Sequence, residues 1–177
     1  SGIAYAEDLV LTADHVITRE DNLRVLLPDG KSLEATLAGR DPGSDLAVLR
    51  LAEKVLTTAK TTEDVKVGQL VLALGRPNSE GMQASWGIVT SIHGPTRTFR
   101  GGMLDEYIRT ETTPYPGFSG GPLVNLQGQV IAINTLVAGQ AEPGVAAQGI
   151  GFAISIATAR PIADQLVQSG QVVHPFV

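Results

Sequence analysis

An antiparallel all-β architecture followed by one late helix is the fold this sequence predicts. Short apolar runs recur along the 177 residues, separated by turns that draw on 20 glycines and 10 prolines. Helical periodicity occurs convincingly once, from Thr158 to Ser169. The length fits one globular domain, or two small lobes that share an interface.

Taken in order, Leu9 to Thr12 is a short strand, and Ala13 to Ile17 turns away from it, so His15 sits where a side chain can face a cleft. Leu23 to Leu27 and Lys31 to Leu37 flank Pro28-Asp-Gly30 as a hairpin. Asp41 to Ser44 is a turn, and Asp45 heads the apolar run Leu46 to Leu49. Residues 52–66 are polar and read as an exposed connection. Gly68 to Gly75 and Ala84 to Ile92 are buried strands, Gly94 to Gly102 a mobile loop, and Tyr107 to Glu111 a strand. Pro122 to Asn134 reads strand, turn, strand. Ala138 to Gly149 is a second loop and Gln148 to Ile154 the last strand. In the helix, Pro161 falls in the first turn, Ile162, Leu166 and Val167 form the apolar stripe, and Gly170 ends it.

Composition narrows the function. A net charge of −5 without a basic run argues against nucleic acid as a partner. With no cysteine, disulfides and thiolate metal sites are excluded. No apolar run approaches the ~20 residues of a membrane-spanning helix.

The most informative stretch is Thr113 to Asn125, where Ser119 is flanked by Gly117, Gly120 and Gly121. A tight glycine turn can aim the N–H groups of Gly117 and Ser119 at one point, which are the parts of an oxyanion hole beside its nucleophile. Gly117-Phe-Ser-Gly-Gly121 also satisfies the Gly-x-Ser-x-Gly pattern of α/β-hydrolases. That reading fails, because the preceding segment is polar and proline-broken, a strand follows, and only His174 lies downstream. The other order places histidine and acid first, as His15, Asp45 and Ser119 do here. His15 would take the serine proton and return it to the leaving amine, while Asp45 fixes the imidazole tautomer. Each residue alone has a blander reading, as a turn serine, a structural histidine or a strand-end cap. Their conjunction with the glycine loop outweighs those.

These pieces resemble the HtrA (Deg) family of chymotrypsin-like serine endopeptidases over essentially the whole chain. Leu11 to Val16, Asp41 to Leu49, Gly117 to Asn125 and Gly149 to Ile154 carry the resemblance, four blocks in family order. It implies a double β-barrel with the active site between an N-terminal lobe (1–66) and a C-terminal lobe (67–177) that ends in the helix. It implies an ATP-independent endopeptidase acting on unfolded or damaged proteins outside the cytoplasm, without metal or cofactor, often as a trimer. The specificity pocket would be apolar, walled by Pro114, Tyr115, Gly151, Phe152, Ala153 and Ile154. Phe118 replaces the asparagine usual in the family, and Pro114-Tyr115 replaces Ile-Asn; the backbone donors survive both changes. The chain starts near the family's Gly-Ser-Gly strand, so an N-terminal barrel short of its first strand or two is expected, with Ser1 to Ala6 weakly ordered or paired across a subunit contact. Gln171 to Val177 reads as a linker towards a PDZ domain of a longer parent chain. The alternatives are a catalytically silent, polypeptide-binding relative and an esterase on the same fold.

Overall fold

The alternation of apolar side chains along the strands builds two main sheets, each with a hydrophobic cluster of its own and a third shared between them. The computed structural model describes residues 1–78, 80–98, 100–135 and 151–173. The Ala138–Gly149 loop, residues 148–150 of the expected last strand, and His174 lie outside the described residues.

The first sheet contains β1 (Gly2–Ala6), β2 (Leu9–Ala13), β3 (Leu23–Leu26), β4 (Ser32–Asp41) and β5 (Leu46–Leu51), in the order β1-β2-β5-β4-β3. It is an open half-barrel. β5 lies near its centre, and successive side chains point to opposite faces, so both faces of Leu46-Ala-Val-Leu49 are covered. Leu46 and Val48 join one core cluster, Ala47 and Leu49 another. β4 runs on to Asp41, beyond the Leu37 expected from its alternation, because a bulge between Leu37 and Gly39 shifts the pattern by one residue.

The second sheet is a closed barrel of β6 (Leu70–Gly75), β7 (Gln83–His93), β10 (Tyr107–Thr110), β11 (Pro122–Val124), β12 (Val130–Thr135) and β13 (Gly151–Ser155). Between β7 and β10, the segment expected as a mobile loop, Gly94 to Gly102, contains β8 (Thr96–Arg97), which pairs with β9 (Met103–Leu104) just beyond it.

Two segments gain backbone partners far away in the chain. Ser1 to Ala6 are not left loose: Gly2 to Ala6 form β1, an edge strand, which pairs within the chain against β2. Residues 52–66 form an extended strap that hydrogen-bonds both sheets. Ala59 N–H donates to the Ala4 carbonyl, and Thr62 N–H to the Val130 carbonyl.

The helix α1 (Ile156–Ser169) starts two residues before the expected Thr158, because the Ser155 side chain caps it by accepting from the Thr158 N–H. Pro161 therefore lies past the first turn and leaves the Ala157 carbonyl without its helical donor. Packing outweighs that loss. Ile156, Ala159, Ala163 and Leu166 are buried in the cluster that also holds Leu46 and Val48 of the half-barrel and Ile133 and Ile154 of the barrel. Ile162 and Val167 pack at its margin. One C-terminal helix thus holds both sheets at a fixed separation.

Candidate active site

The turn after β2 is a short 3-10 segment, Asp14–Val16, which carries His15. Asp45 precedes β5 in a left-handed conformation (φ 60°), one that short polar side chains adopt more readily than others. That backbone lets one carboxylate grip His15 twice. Asp45 Oδ1 accepts from the His15 backbone N–H at 2.9 Å, and Oδ2 lies 2.7 Å from His15 Nδ1. The Asp45 carbonyl also accepts from the Asp14 N–H at 3.0 Å. With a proton on Nδ1, the Nε2 lone pair is left as an acceptor. Burial by itself would push the Asp45 carboxyl up. Hydrogen bonds from the His15 ring, from the Thr135 hydroxyl and from the His15 N–H outweigh burial and hold it below the ordinary aspartate value. Thr135 is the residue sequence reasoning missed here. It stands at the end of β12, and only the fold brings its hydroxyl to Asp45 Oδ2.

Ser119 sits in the loop before β11, and its placement depends on its neighbour. Phe118 is 1% exposed and inserts into the barrel core with Val71, Val89, Ile108 and Ile131. Gly75 makes room for it, since a β-carbon there would lie 2.5 Å from the Phe118 ring. Tyr115 packs edge-on against the same ring, with centroids 5.5 Å apart. Gly117 has φ +87°, and a β-carbon there would meet Pro77 at 2.4 Å, so neither the conformation nor the space admits a side chain. The Ser1 hydroxyl donates to the Gly117 carbonyl at 2.5 Å and accepts from the Arg76 N–H at 2.8 Å. Among the described residues, the N–H groups of Gly117 and Ser119 have no hydrogen-bond partner. The Ser119 hydroxyl is likewise unbonded among them, so His15 and Asp45 are joined to each other but not to Ser119.

The expected pocket residues divide. Tyr115 is 48% exposed and Pro114 half-buried. Phe152 is half-buried, with the Arg109 guanidinium 5.3 Å from its ring centroid and Tyr107 beside it. Ala153 and Ile154 are buried in separate core clusters, and Gly151 is buried against the hydroxyls of Thr110 and Thr112.

A family profile described as the trypsin-like peptidase domain matches residues 1–133. The chain belongs to this family. Within it, the HtrA (Deg) proteases are its relatives. A probable periplasmic serine endoprotease DegP-like of Brucella suis biovar 1 is 39% identical over 182 residues, covering 100% of this chain and 34% of that protein. The periplasmic pH-dependent serine endoprotease DegQ of Escherichia coli is 36% identical, covering 92% of this chain and 35% of DegQ. The solved structure of the HtrA-type protease AlgW with a decapeptide superposes with a TM-score of 0.83 at 33% identity, covering 96% of this chain and 51% of that one. This HtrA-type chain therefore spans about a third of the length of those curated relatives. Among the described residues, no helix is long and apolar enough to cross a membrane.

Proposed function

We propose that the chain is the peptidase domain of an HtrA-type serine endopeptidase, with His15, Asp45 and Ser119 as its triad. The observation that carries this reading is the double grip of Asp45 on His15, which leaves Nε2 as the free basic nitrogen. His15 Nε2 removes the Ser119 proton as Oγ attacks the scissile carbonyl. The N–H groups of Gly117 and Ser119 stabilise the resulting oxyanion. The imidazolium then protonates the leaving amine, and water attacks the acyl-enzyme by the same route. The serine–histidine contact tightens when substrate enters, as catalytic hydrogen bonds commonly do.

The substrate class we propose is unfolded polypeptide, met outside the cytoplasm, by a protein that assembles as a trimer and carries a PDZ domain in its longer form. The pocket we propose is apolar, formed by Pro114, Tyr115 and Phe152 beside Gly151, with Ala153 and Ile154 buried in the cores behind it. None of these residues is acidic, so a basic side chain would be buried unpaired. Cleavage should fall after Val, Ala, Ile or Leu.

An active-site phosphonate tests the chemistry: it should label wild type at Ser119 and spare Ser119→Ala. An unlabelled wild-type chain that still binds unfolded casein would favour the silent, polypeptide-binding alternative. Sequencing the casein fragments tests the pocket, and a majority of cuts after Lys or Arg would refute it.

A further inference from the structure

Asp14, immediately before His15, is a buried carboxylate that the proposed chemistry does not use. Its side chain is 1% exposed, yet it is shared by two arginines, one in a strand of the half-barrel and one in a distant turn. Arg40 of β4 places Nε 2.5 Å from Oδ1, and Arg100, between β8 and β9, places Nη1 3.1 Å from Oδ2. The same Arg40 donates through Nη2 to the carbonyls of Asp14 (3.4 Å) and Ile17 (3.2 Å), so one guanidinium spans the whole turn that carries His15. Its Nη1 reaches Glu20 at 3.1 Å.

The segment around Arg100 also grips the turn that carries Asp45. The Thr98 hydroxyl donates to the Gly43 carbonyl at 2.5 Å, and the Gly102 backbone lies so close that a β-carbon there would come within 2.4 Å of the same oxygen. One short connection on the serine side of the molecule thus touches both the histidine turn and the aspartate turn. The position of His15 relative to Ser119 depends on how the half-barrel sits on the barrel, and a displacement of ~1 Å between reacting groups costs about 100-fold.

We infer that Asp14 is a positioning residue for His15, held by Arg40 of the half-barrel and by Arg100 from the connection between β8 and β9. This rests on the reading of His15 as the general base. A carboxylate at this depth is retained only when paired, so its two arginines fix where the turn can lie. Neither arginine needs to touch substrate.

The test uses the 177-residue chain and two readouts. Proton NMR follows exchange with water of the downfield His15 Nδ1–H, which sits on Asp45, and steady-state kinetics give kcat and KM. In Arg100→Gln, exchange should quicken roughly five- to tenfold, as expected when a half-exposed charge-assisted hydrogen bond is lost. kcat should fall by a similar factor at unchanged KM, and Arg100→Lys should restore most of both. Asp14→Asn should have the larger effect; where it fails to fold, Arg100→Gln decides alone. Unchanged exchange in Arg100→Gln overturns the inference, as does a wild-type chain with no protected Nδ1–H on His15. Exchange that responds to Arg100 in a chain that hydrolyses no better than Ser119→Ala would instead sink the protease reading and leave the positioning role standing.

Discussion

The two halves of the proposed triad are held at different points: one by bonds to the reacting side chains themselves, the other by contacts to the residues around them. His15 and Asp45 are held by polar contacts. Two hydrogen bonds join them, a third comes from Thr135, and the Asp14 side chain and backbone anchor the turn. Ser119 is held by the burial of its neighbour Phe118, while its own hydroxyl and N–H are unbonded among the described residues. The difference follows from what each half does. A base must keep one tautomer and one orientation throughout the reaction, and hydrogen bonds supply direction. A nucleophile and its hole must keep hydrogen-bonding capacity free for a substrate, so their support comes from behind. It is supplied by the buried Phe118 ring and by bonds to neighbouring groups, such as the Ser1 hydroxyl on the Gly117 carbonyl and the Gly120 N–H on the Asn134 carbonyl.

The largest effects should come from breaking the chemistry itself. Ser119→Ala and His15→Ala should each lower kcat on the order of 10⁴–10⁶, with the double variant little worse; additive losses would show that the two do not act together. Asp45→Asn should cost about 10⁴ through the wrong tautomer. Its melting temperature should change much less, since asparagine tolerates the left-handed backbone that Asp45 occupies. A variant that unfolds instead would assign Asp45 a mainly structural role.

The apolar side of the comparison breaks differently. Phe118→Ala should lower stability by about 3–5 kcal/mol, the usual cost of removing a buried phenylalanine. Activity should be lost with the loop that Phe118 anchors. A thermal melt like that of wild type would mean that the loop is carried by its backbone contacts and not by the plug.

Smaller changes sharpen the polar side. Thr135→Val keeps the shape and removes one hydrogen bond to a charged acceptor, which should lower kcat about tenfold with KM nearly unchanged. A change confined to KM would place Thr135 with the substrate and not with Asp45. The smallest expected effect is on acid stability. The folded-state pKa of Asp45 is lowered, so its contribution is fully present above the unfolded value near ~4 and is lost as pH falls through the folded value. Asp45→Asn should therefore flatten the acid limb of the stability curve below about pH 4. An unaltered limb would show that the carboxylate gains nothing on folding.

Much of this is legible in the sequence alone. Ser119 announces itself through Gly117, Gly120 and Gly121, and His15 and Asp45 through their places at the ends of apolar strands. Other features were hidden for identifiable reasons. The β4 bulge slips the alternation at Ala38, so the strand reads short. The early start of α1 depends on the Ser155 cap, which lies three residues before the Thr158 where the helical pattern begins to read. β1 and the strap of residues 52–66 have weak patterns of their own and are ordered by partners far away in the chain.

The sequence by itself determined the mostly β fold, the late helix, the order histidine–aspartate–serine and the residues able to do acyl-transfer chemistry, because side-chain period and local turn chemistry are written within a few neighbouring positions. Only the tertiary structure decided that Phe118 is a buried plug, that Ala153 and Ile154 face cores, that Thr135 steadies Asp45, and that Asp14 joins Arg40 to Arg100. Each of those is a contact between residues distant in the chain. Its energy comes from desolvation or pairing that exists only once both sheets have closed on a common core.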